Sequence, residues 1–262
     1  MKLHTTRIIC IILGLLALTL AFSSRFAAQP PAESSALRVY TSDGFKPALQ
    51  ALIPQIEHSL GRKVSPEFES SKALEQKIES GEPFDVAILS TNVVDELIKS
   101  GKVSAGSSTG LGRAGIGVGL RAGAPKPDIS TPDAMKRTLL NAKSITFNRD
   151  GASAVHIHEM VQRLDIVDQM KPKLMPAVGA GQPQRDVAAG KAQMVITLVP
   201  EIADFKELEV VGPLPGDLQS YIDFSAGVSA NSKDPEAAKA LIKYLTSPTV
   251  AHTLKTKGIE RK

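Results

Sequence analysis

Short apolar runs alternate with longer amphipathic segments from residue 37 to the C-terminus. The apolar runs predict β-strands, whereas apolar residues that recur every three or four positions predict helices. The predicted strands are residues 37–40, 64–68, 84–89, 115–121, 144–148, 193–197, 208–211 and 221–229. The predicted helices are residues 45–60, 71–79, 91–100, 132–140, 153–164, 185–189 and 235–245. This alternation is typical of an α/β protein.

The N-terminus has the pattern of a signal peptide. Lys2, His4 and Arg7 form a basic start, and an uncharged, mostly apolar run follows over residues 8–22. The run is shorter than the roughly 20 residues that a membrane-spanning helix needs. We therefore predict a cleaved signal peptide over residues 1–23 and a periplasmic location, with an uncleaved membrane anchor as the alternative.

Cleavage changes the composition of the mature chain. Of the 239 residues that are left, residues 24–36 form a Pro/Ala/Ser-rich tether, and Cys10, the only cysteine, is lost together with all disulfide chemistry. The formal net charge falls from +4 to +2, charges of both signs are interspersed, and aromatic residues are 4% of the chain. We predict a monomer without stable membrane association, and the charge pattern does not predict nucleic-acid binding.

Two features predict two lobes joined by a double crossover. Gly110 and Gly112 come just before the predicted strand at residue 115, which opens a second series of strands and helices. The predicted strand at residues 221–229 then returns to the first lobe. The predicted division is residues 37–112 for the first part of lobe 1, 113–212 for lobe 2 and 213–262 for the return to lobe 1.

Four strand-to-helix loops are rich in serine or glycine. In a parallel sheet, ligands collect beyond the carboxyl ends of the strands, where backbone N–H groups and helix dipoles attract negative charge. A serine before a helix is also a common N-cap, so each loop alone is ambiguous. Four such loops together favour an anion-binding cleft. They are residues 41–44, 69–72, 148–153 and 179–182.

The mature chain resembles the type 2 periplasmic binding proteins, and within them the molybdate-binding branch. The resemblance is most specific in the stretch Phe68-Glu69-Ser70-Ser71-Lys72-Ala73-Leu74 and continues to Pro83-Phe84-Asp85-Val86; Val39-Tyr40-Thr41-Ser42 is similar to the first loop of that branch. It implies two α/β lobes that close over a small anion by hinge motion. It also implies that Ser71 binds an oxyanion, and that Ser153 and Ala180 lie where backbone N–H groups hold the ligand.

The departures from this branch concern the ligand. Leu198 stands where the branch has an oxyanion-binding tyrosine. Gly44 replaces its first-loop serine, which leaves Ser42 as the candidate from that loop. Because the branch holds molybdate with neutral dipoles, the added charges of Lys72 and Arg149 favour a carboxylate. The alternative is that both are solvated loop charges.

A second resemblance, to the aconitate isomerases, combines the chain length, the signal peptide, the third-loop stretch at residues 147–159 and the missing molybdate tyrosine. It implies an enzyme that interconverts trans- and cis-aconitate by an allylic proton shift without a metal or another cofactor. Such a site needs cations for three carboxylates, donors where enolate charge develops, and one group that exchanges a proton near neutral pH.

His156 is the predicted proton carrier. It lies in the first turn of the helix after Ser153, where the positive helix end disfavours the charged imidazole. His158 differs by about 200° in direction on a helix, so at most one of the two faces the cleft and the pair cannot chelate a metal. The sequence leaves four other carriers open: Tyr40, Asp43, Tyr221 and Asp223.

Two classes of function remain open. One is a periplasmic isomerase of tricarboxylates. The other is a non-catalytic binding protein that delivers a small carboxylate, or an oxyanion such as molybdate, to an ABC importer. A permease partner is predicted only in the second case. The chain carries no serine-hydrolase elbow, phosphate-binding loop or other enzyme motif.

Overall fold

The computed structural model describes residues 36–261, so the predicted signal peptide and all but the last residue of the tether lie outside the described part. The strands are β1 (Leu37–Ser42), β2 (Val64–Glu69), β3 (Val86–Ser90), β4 (Thr109–Arg121), β5 (Ile145–Asn148), β6 (Leu174–Ala177), β7 (Met194–Leu198), β8 (Leu208–Pro213) and β9 (Tyr221–Val228). Their alternation with helices confirms the predicted α/β class.

The described residues form ten α-helices, none of which is long and apolar enough to cross a membrane. They are α1 (Lys46–Leu60), α2 (Ser71–Glu79), α3 (Thr91–Lys99), α4 (Pro132–Asn141), α5 (Ala154–Arg163), α6 (Val167–Met170), α7 (Gln182–Ala188), α8 (Val199–Ala203), α9 (Pro235–Thr246) and α10 (Ala251–Thr256). Short 3₁₀ turns occupy Gly216–Leu218 and Pro248–Val250.

The sheet consists of two sets of strands that share one long strand. The strand order is β2-β1-β3-β9-β4-β7-β5-β6, with β8 paired to β4. The N-terminal part of β4, up to Gly115, pairs with β9, and the part from Ile116 onward pairs with β7 and β8. Strands β1, β2 and β3 are parallel to one another, and so are β5, β6 and β7. The loops after these two parallel groups therefore supply the site.

Helix α8 lies close to β4 because β4 lacks side chains at two positions. A Cβ atom on Gly117 would come 2.7 Å from a methyl group of Val199, and one on Gly119 would come 2.6 Å from a methyl group of Ile202. These separations are far below the roughly 3.5–4.0 Å at which carbon atoms pack. The two glycines thus allow α8 to pack closely against β4.

Two features differ from the sequence predictions. Strand β4 begins at Thr109, so Gly110 and Gly112 lie inside it at an irregularity in its pairing with β9, not in a loop before it. Strand β6 and the short helices α6, α8 and α10 were not predicted. The boundaries of the two lobes stay a prediction.

Candidate anion-binding cleft

A cleft of about 620 Å³ lies between the loop regions of the two parallel groups of strands. One wall is the start of α2 and the turn from β3 into α3, and the other is the loop after β5 and the start of α5. Strand β9 supplies the remaining residues. The lining residues are Ser71, Lys72, Ser90, Thr91, Asn92, Val93, Arg149, Asp150, Gly151, Ala152, Ala154, Val155, His156, Tyr221, Ile222 and Asp223. The second and third predicted loops therefore meet in one cavity.

The start of α2 places a serine hydroxyl in the cleft wall. Ser70 caps the helix, since its Oγ accepts a hydrogen bond of 3.1 Å from the Ala73 N–H. Ser71 Oγ accepts a bond of 3.0 Å from the Ser90 N–H and is 3% exposed. Because that bond uses the oxygen as an acceptor, the hydroxyl proton of Ser71 remains able to donate to an anion.

Three helices begin at the cleft. The first residues of α2, α3 and α5 all line it, and each of these helices has nine or ten residues. The unpaired N–H groups and positive dipole ends at helix starts favour negative charge. Neither Ser90 nor Ser153, which precede α3 and α5, forms a side-chain cap bond. These starts can therefore offer backbone donors to a ligand.

The two predicted cations both line the cleft, and both have a carboxylate partner. Lys72 Nζ lies 2.7 Å from Glu75 Oε2, and this hydrogen bond and the charge of Glu75 raise the pKa of Lys72. Arg149 Nε lies 3.4 Å from Asp150 Oδ1. The side chains of Lys72 and Arg149 are 58% and 62% exposed. The Arg149 pair is exposed on both sides and contributes little, so Arg149 can exchange Asp150 for a ligand carboxylate. Glu75 is buried, so Lys72 can contact a ligand only while it also serves this carboxylate.

The two histidines of α5 point in different directions. His156 lines the cleft, its side chain is 28% exposed, and its Nδ1 lies 3.2 Å from Glu159 Oε2. His158 packs edge-on against Phe147, with 5.5 Å between ring centroids, and does not line the cleft. The structure thus brings His156 together with Ser71, as a proton carrier in this cleft requires.

Three predicted ligand residues are not among those that line the cleft. Ser42 is buried at the end of β1, and Ser153 is buried between two lining residues of the third loop. Ala180 is half-buried, and its carbonyl oxygen accepts a 2.8 Å hydrogen bond from Arg185 Nη2, which braces the fourth loop. Their contacts with a ligand stay a prediction.

The alternative proton carriers are in different surroundings. Tyr221 and Asp223 line the cleft, and the Arg113 guanidinium lies 3.9 Å from the centroid of the Tyr221 ring. Tyr40 is buried against Phe84, and burial together with nearby carboxylates raises its pKa to about 12. A phenol with that pKa is poorly suited to proton exchange near neutral pH.

Two half-buried carboxyl groups, Asp43 and Glu201, lie where α1 meets α8, and only Asp43 was singled out from the sequence. Burial, followed by the charges of Glu69 and Asp204, raises the pKa of Asp43 to about 6, against the opposing charges of Lys46 and Arg185. The pair also lies beside an ion pair between α1 and the end of α8, in which Lys46 Nζ is 2.9 Å from Asp204 Oδ2.

Glu201 is the member of the pair that was missed. Burial and the charge of Asp43 raise its pKa to about 7, whereas hydrogen bonds from Thr197 and Gln184 act in the opposite direction. Thr197 lies in β7 and Glu201 in the first turn of α8, so their hydrogen bond joins the end of the strand to a helix that was not predicted. Neither carboxyl of the pair is among the residues that line the cleft.

Gly44 and Leu198 are matched in size. A Cβ atom at position 44 would lie 2.4 Å from Leu198 Cδ1 and 2.7 Å from Phe224 Cζ. The leucine side chain therefore fills the space beside the first loop that a larger residue at position 44 would need. Gly44 and Leu198, which both depart from the molybdate-binding branch, are thus parts of one packing arrangement.

This mixed sheet, in which one long strand joins two parallel groups and helix starts gather at a cleft between them, is the architecture of a two-lobed solute-binding protein. The chain belongs to the bacterial extracellular solute-binding protein family, whose model matches residues 37–260. Among the described residues, no group of three or more His, Cys, Asp or Glu side chains is arranged to hold a metal ion.

Two curated relatives match nearly the whole chain. An aconitate isomerase of Pseudomonas sp. is 32% identical over 256 residues, which are 95% of each chain. The molybdate-binding protein ModA of Azotobacter vinelandii is 26% identical over 241 residues, 87% of this chain and 90% of its own. Among solved structures, the periplasmic molybdate-binding protein of Azotobacter vinelandii superposes with a TM-score of 0.74 at 18% identity, covering 86% of this chain and 99% of that one. These matches confirm the predicted family and fold.

Proposed function

We propose that this protein is exported to the periplasm and interconverts trans- and cis-aconitate in the cleft by an allylic proton shift. The observation that carries this proposal is the position of His156, which shares one cavity with Ser71, two cations and three helix starts. The 32% identity to an aconitate isomerase over 95% of both chains supports the same reaction.

The proposed reaction conserves all atoms of the substrate. A base removes one proton from the methylene carbon, the electron pair moves through the allylic unit into a carboxylate, and a proton returns two carbons away. Lys72 and Arg149 hold carboxylates, while Ser71 and the helix-start N–H groups donate to the oxygen on which charge develops. His156 takes up and returns the proton.

A non-catalytic binding protein is the second candidate. The matches to molybdate-binding proteins support it, and in that case an ABC permease would receive the ligand, a small carboxylate or an oxyanion. Leu198 occupies the space beside the first loop, and the cleft carries Lys72 and Arg149. Both features favour a carboxylate over molybdate as the ligand.

Paired histidine variants test the proposal. We expect His156→Gln to retain the fold and aconitate affinity, because a polar side chain still occupies the helix start. Its turnover should fall by at least about 100-fold, the usual contribution of a positioned acid–base group. His158→Gln is the matched control and should turn over as wild type does, because His158 lies outside the cleft.

The same assay separates the alternatives. Normal turnover by His156→Gln would exclude this residue as the carrier and move the assignment to Tyr221 or Asp223, which also line the cleft, to be tested by Tyr221→Phe and Asp223→Asn. Aconitate or molybdate binding without any turnover in wild type would favour the binding-protein candidate. Binding of both ligands is measured by calorimetry on the same preparations.

A further inference from the structure

The basic atom of a neutral histidine depends on its tautomer. One ring nitrogen carries the proton and donates, and the other holds a lone pair and can act as a base. The hydrogen bond made by one nitrogen determines the state of the other. For His156, the partner of Nδ1 therefore decides which nitrogen can remove a proton from a substrate.

The partner of His156 is Glu159, one helical turn further along α5. Residues three apart lie on the same face of a helix, and Nδ1 of His156 is 3.2 Å from Oε2 of Glu159. An ionised carboxylate can only accept hydrogen bonds. In this contact Nδ1 must be the donor, so the lone pair of the neutral ring resides on Nε2.

We propose that Glu159 is a positioning residue, which holds neutral His156 in the Nδ1–H tautomer and leaves Nε2 as the basic atom in the cleft. The catalytic meaning of this assignment rests on the proposed function, whereas the tautomer itself does not. Glu159 is not among the residues that line the cleft, and its side chain is 56% exposed. It therefore acts through His156 and not on the substrate.

The test compares two substitutions of Glu159, one that removes the oxygen acceptor and one that keeps it. Glu159→Met removes the acceptor, and the free ring should shift toward the Nε2–H tautomer that imidazole side chains prefer in water. Glu159→Gln keeps an acceptor oxygen at the same distance along the side chain and should largely preserve the Nδ1–H form. Glu236→Met removes an exposed carboxylate of α9 that pairs with the lysine three residues on, far from His156 in sequence. It is the matched control.

Ring ¹⁵N chemical shifts of uniformly labelled mature protein report the tautomer directly, at a pH well above the titration range of histidine. The His156 signals are assigned by their loss in His156→Gln. We expect the Nδ1–H pattern in wild type, Glu159→Gln and Glu236→Met, and a shift toward the Nε2–H pattern in Glu159→Met. Turnover of aconitate should fall by about 10-fold or more in Glu159→Met and recover in Glu159→Gln. This loss should be smaller than the roughly 10⁴-fold seen when a buried Asp–His pair of a serine protease has the wrong tautomer.

The possible outcomes are distinct. An Nε2–H pattern in wild type, or unchanged ring shifts in Glu159→Met, would overturn the role of Glu159 whatever the activity. The expected ring shifts in a protein that does not isomerise aconitate would support the positioning role and reject the proposed function. If Glu159→Met does not fold, as judged by circular dichroism, Glu159→Ala replaces it, and the wild-type spectrum remains decisive.

Discussion

Replacing Gly44 with alanine measures how tightly the loop after β1 fits against β7 and β9. The added methyl group would lie 2.4 Å from Leu198 Cδ1 and 2.7 Å from Phe224 Cζ. Carbon atoms pack at about 3.5–4.0 Å, so both neighbours must move by about 1 Å or more. Gly44 is not among the described glycines with positive φ. Backbone strain therefore does not contribute to the loss of stability in Gly44→Ala, and this loss reports packing alone.

The expected cost follows from overpacking a filled core. One extra methyl group in such a site destabilises by about 1–3 kcal/mol. Since each kcal/mol lowers Tm by about 2–4 °C in a domain of this size, the melting temperature should fall by roughly 2–12 °C. Leu198→Ala alone removes a buried leucine and should cost about 2–5 kcal/mol.

The double variant distinguishes a direct clash from general disruption. In Gly44→Ala/Leu198→Ala the shortened side chain removes the closer of the two clashes, the one with Leu198, and leaves the one with Phe224. The loss should then be smaller than the sum of the single losses, by about 0.5–3 kcal/mol of coupling. Gly110→Ala is the control, because a Cβ atom there has no neighbour within 4 Å.

Urea unfolding at constant m-value gives these differences as shifts in midpoint. If Gly44→Ala unfolds at the wild-type midpoint, or if its loss simply adds to that of Leu198→Ala, the two residues are not matched in size and Leu198 does not fill this space. Loss of stability in Gly110→Ala equal to that in Gly44→Ala would point to a general effect of replacing glycine.

Two further predictions concern charge. Lys72→Met and Arg149→Met should each weaken aconitate binding more than tenfold, or about 1.4 kcal/mol, because a ligand carboxylate loses its partner; calorimetry showing unchanged affinity in both would identify solvated loop charges. Glu201→Gln should flatten the pH dependence of stability. Burial raises the pKa of Glu201 from 4.5 to about 7. The stability that the protonated carboxyl contributes is therefore fully present below about pH 4.5 and is lost as the pH rises through about 7. Wild type should lose on the order of 1–3 kcal/mol over that range relative to the variant, and parallel unfolding curves at all pH values would refute this.

Most of the architecture could be predicted because it depends on local pattern. Apolar runs found eight of the nine described strands, and helical periodicity found the longer helices. Strand β6 was not predicted because its four residues include Pro176 and no run of β-branched side chains. The start of β4 was predicted too late in the chain, because Gly110 and Gly112 are typical of loops, whereas here they pair with β9.

Some residues of the candidate site could likewise be predicted from the sequence, and others could not. The parallel-sheet pattern located the loops that carry Ser71, Lys72 and Arg149 and that precede His156, whereas the roles of these residues were implied by the family resemblances. Glu201 could not be named, since its raised pKa depends on burial where α8 packs against the loop after β1. That contact requires glycines in β4, a tertiary condition that no local pattern reveals.

The most direct test of the proposed function is to incubate the mature protein with trans-aconitate in D₂O and follow both isomers by proton NMR. We expect cis-aconitate to form in wild type and to carry no more than one solvent deuterium per turnover. His156→Gln should abolish most of this formation, whereas His158→Gln should not. Complete retention of trans-aconitate by a folded protein that binds it would contradict the isomerase and leave a carboxylate-binding protein.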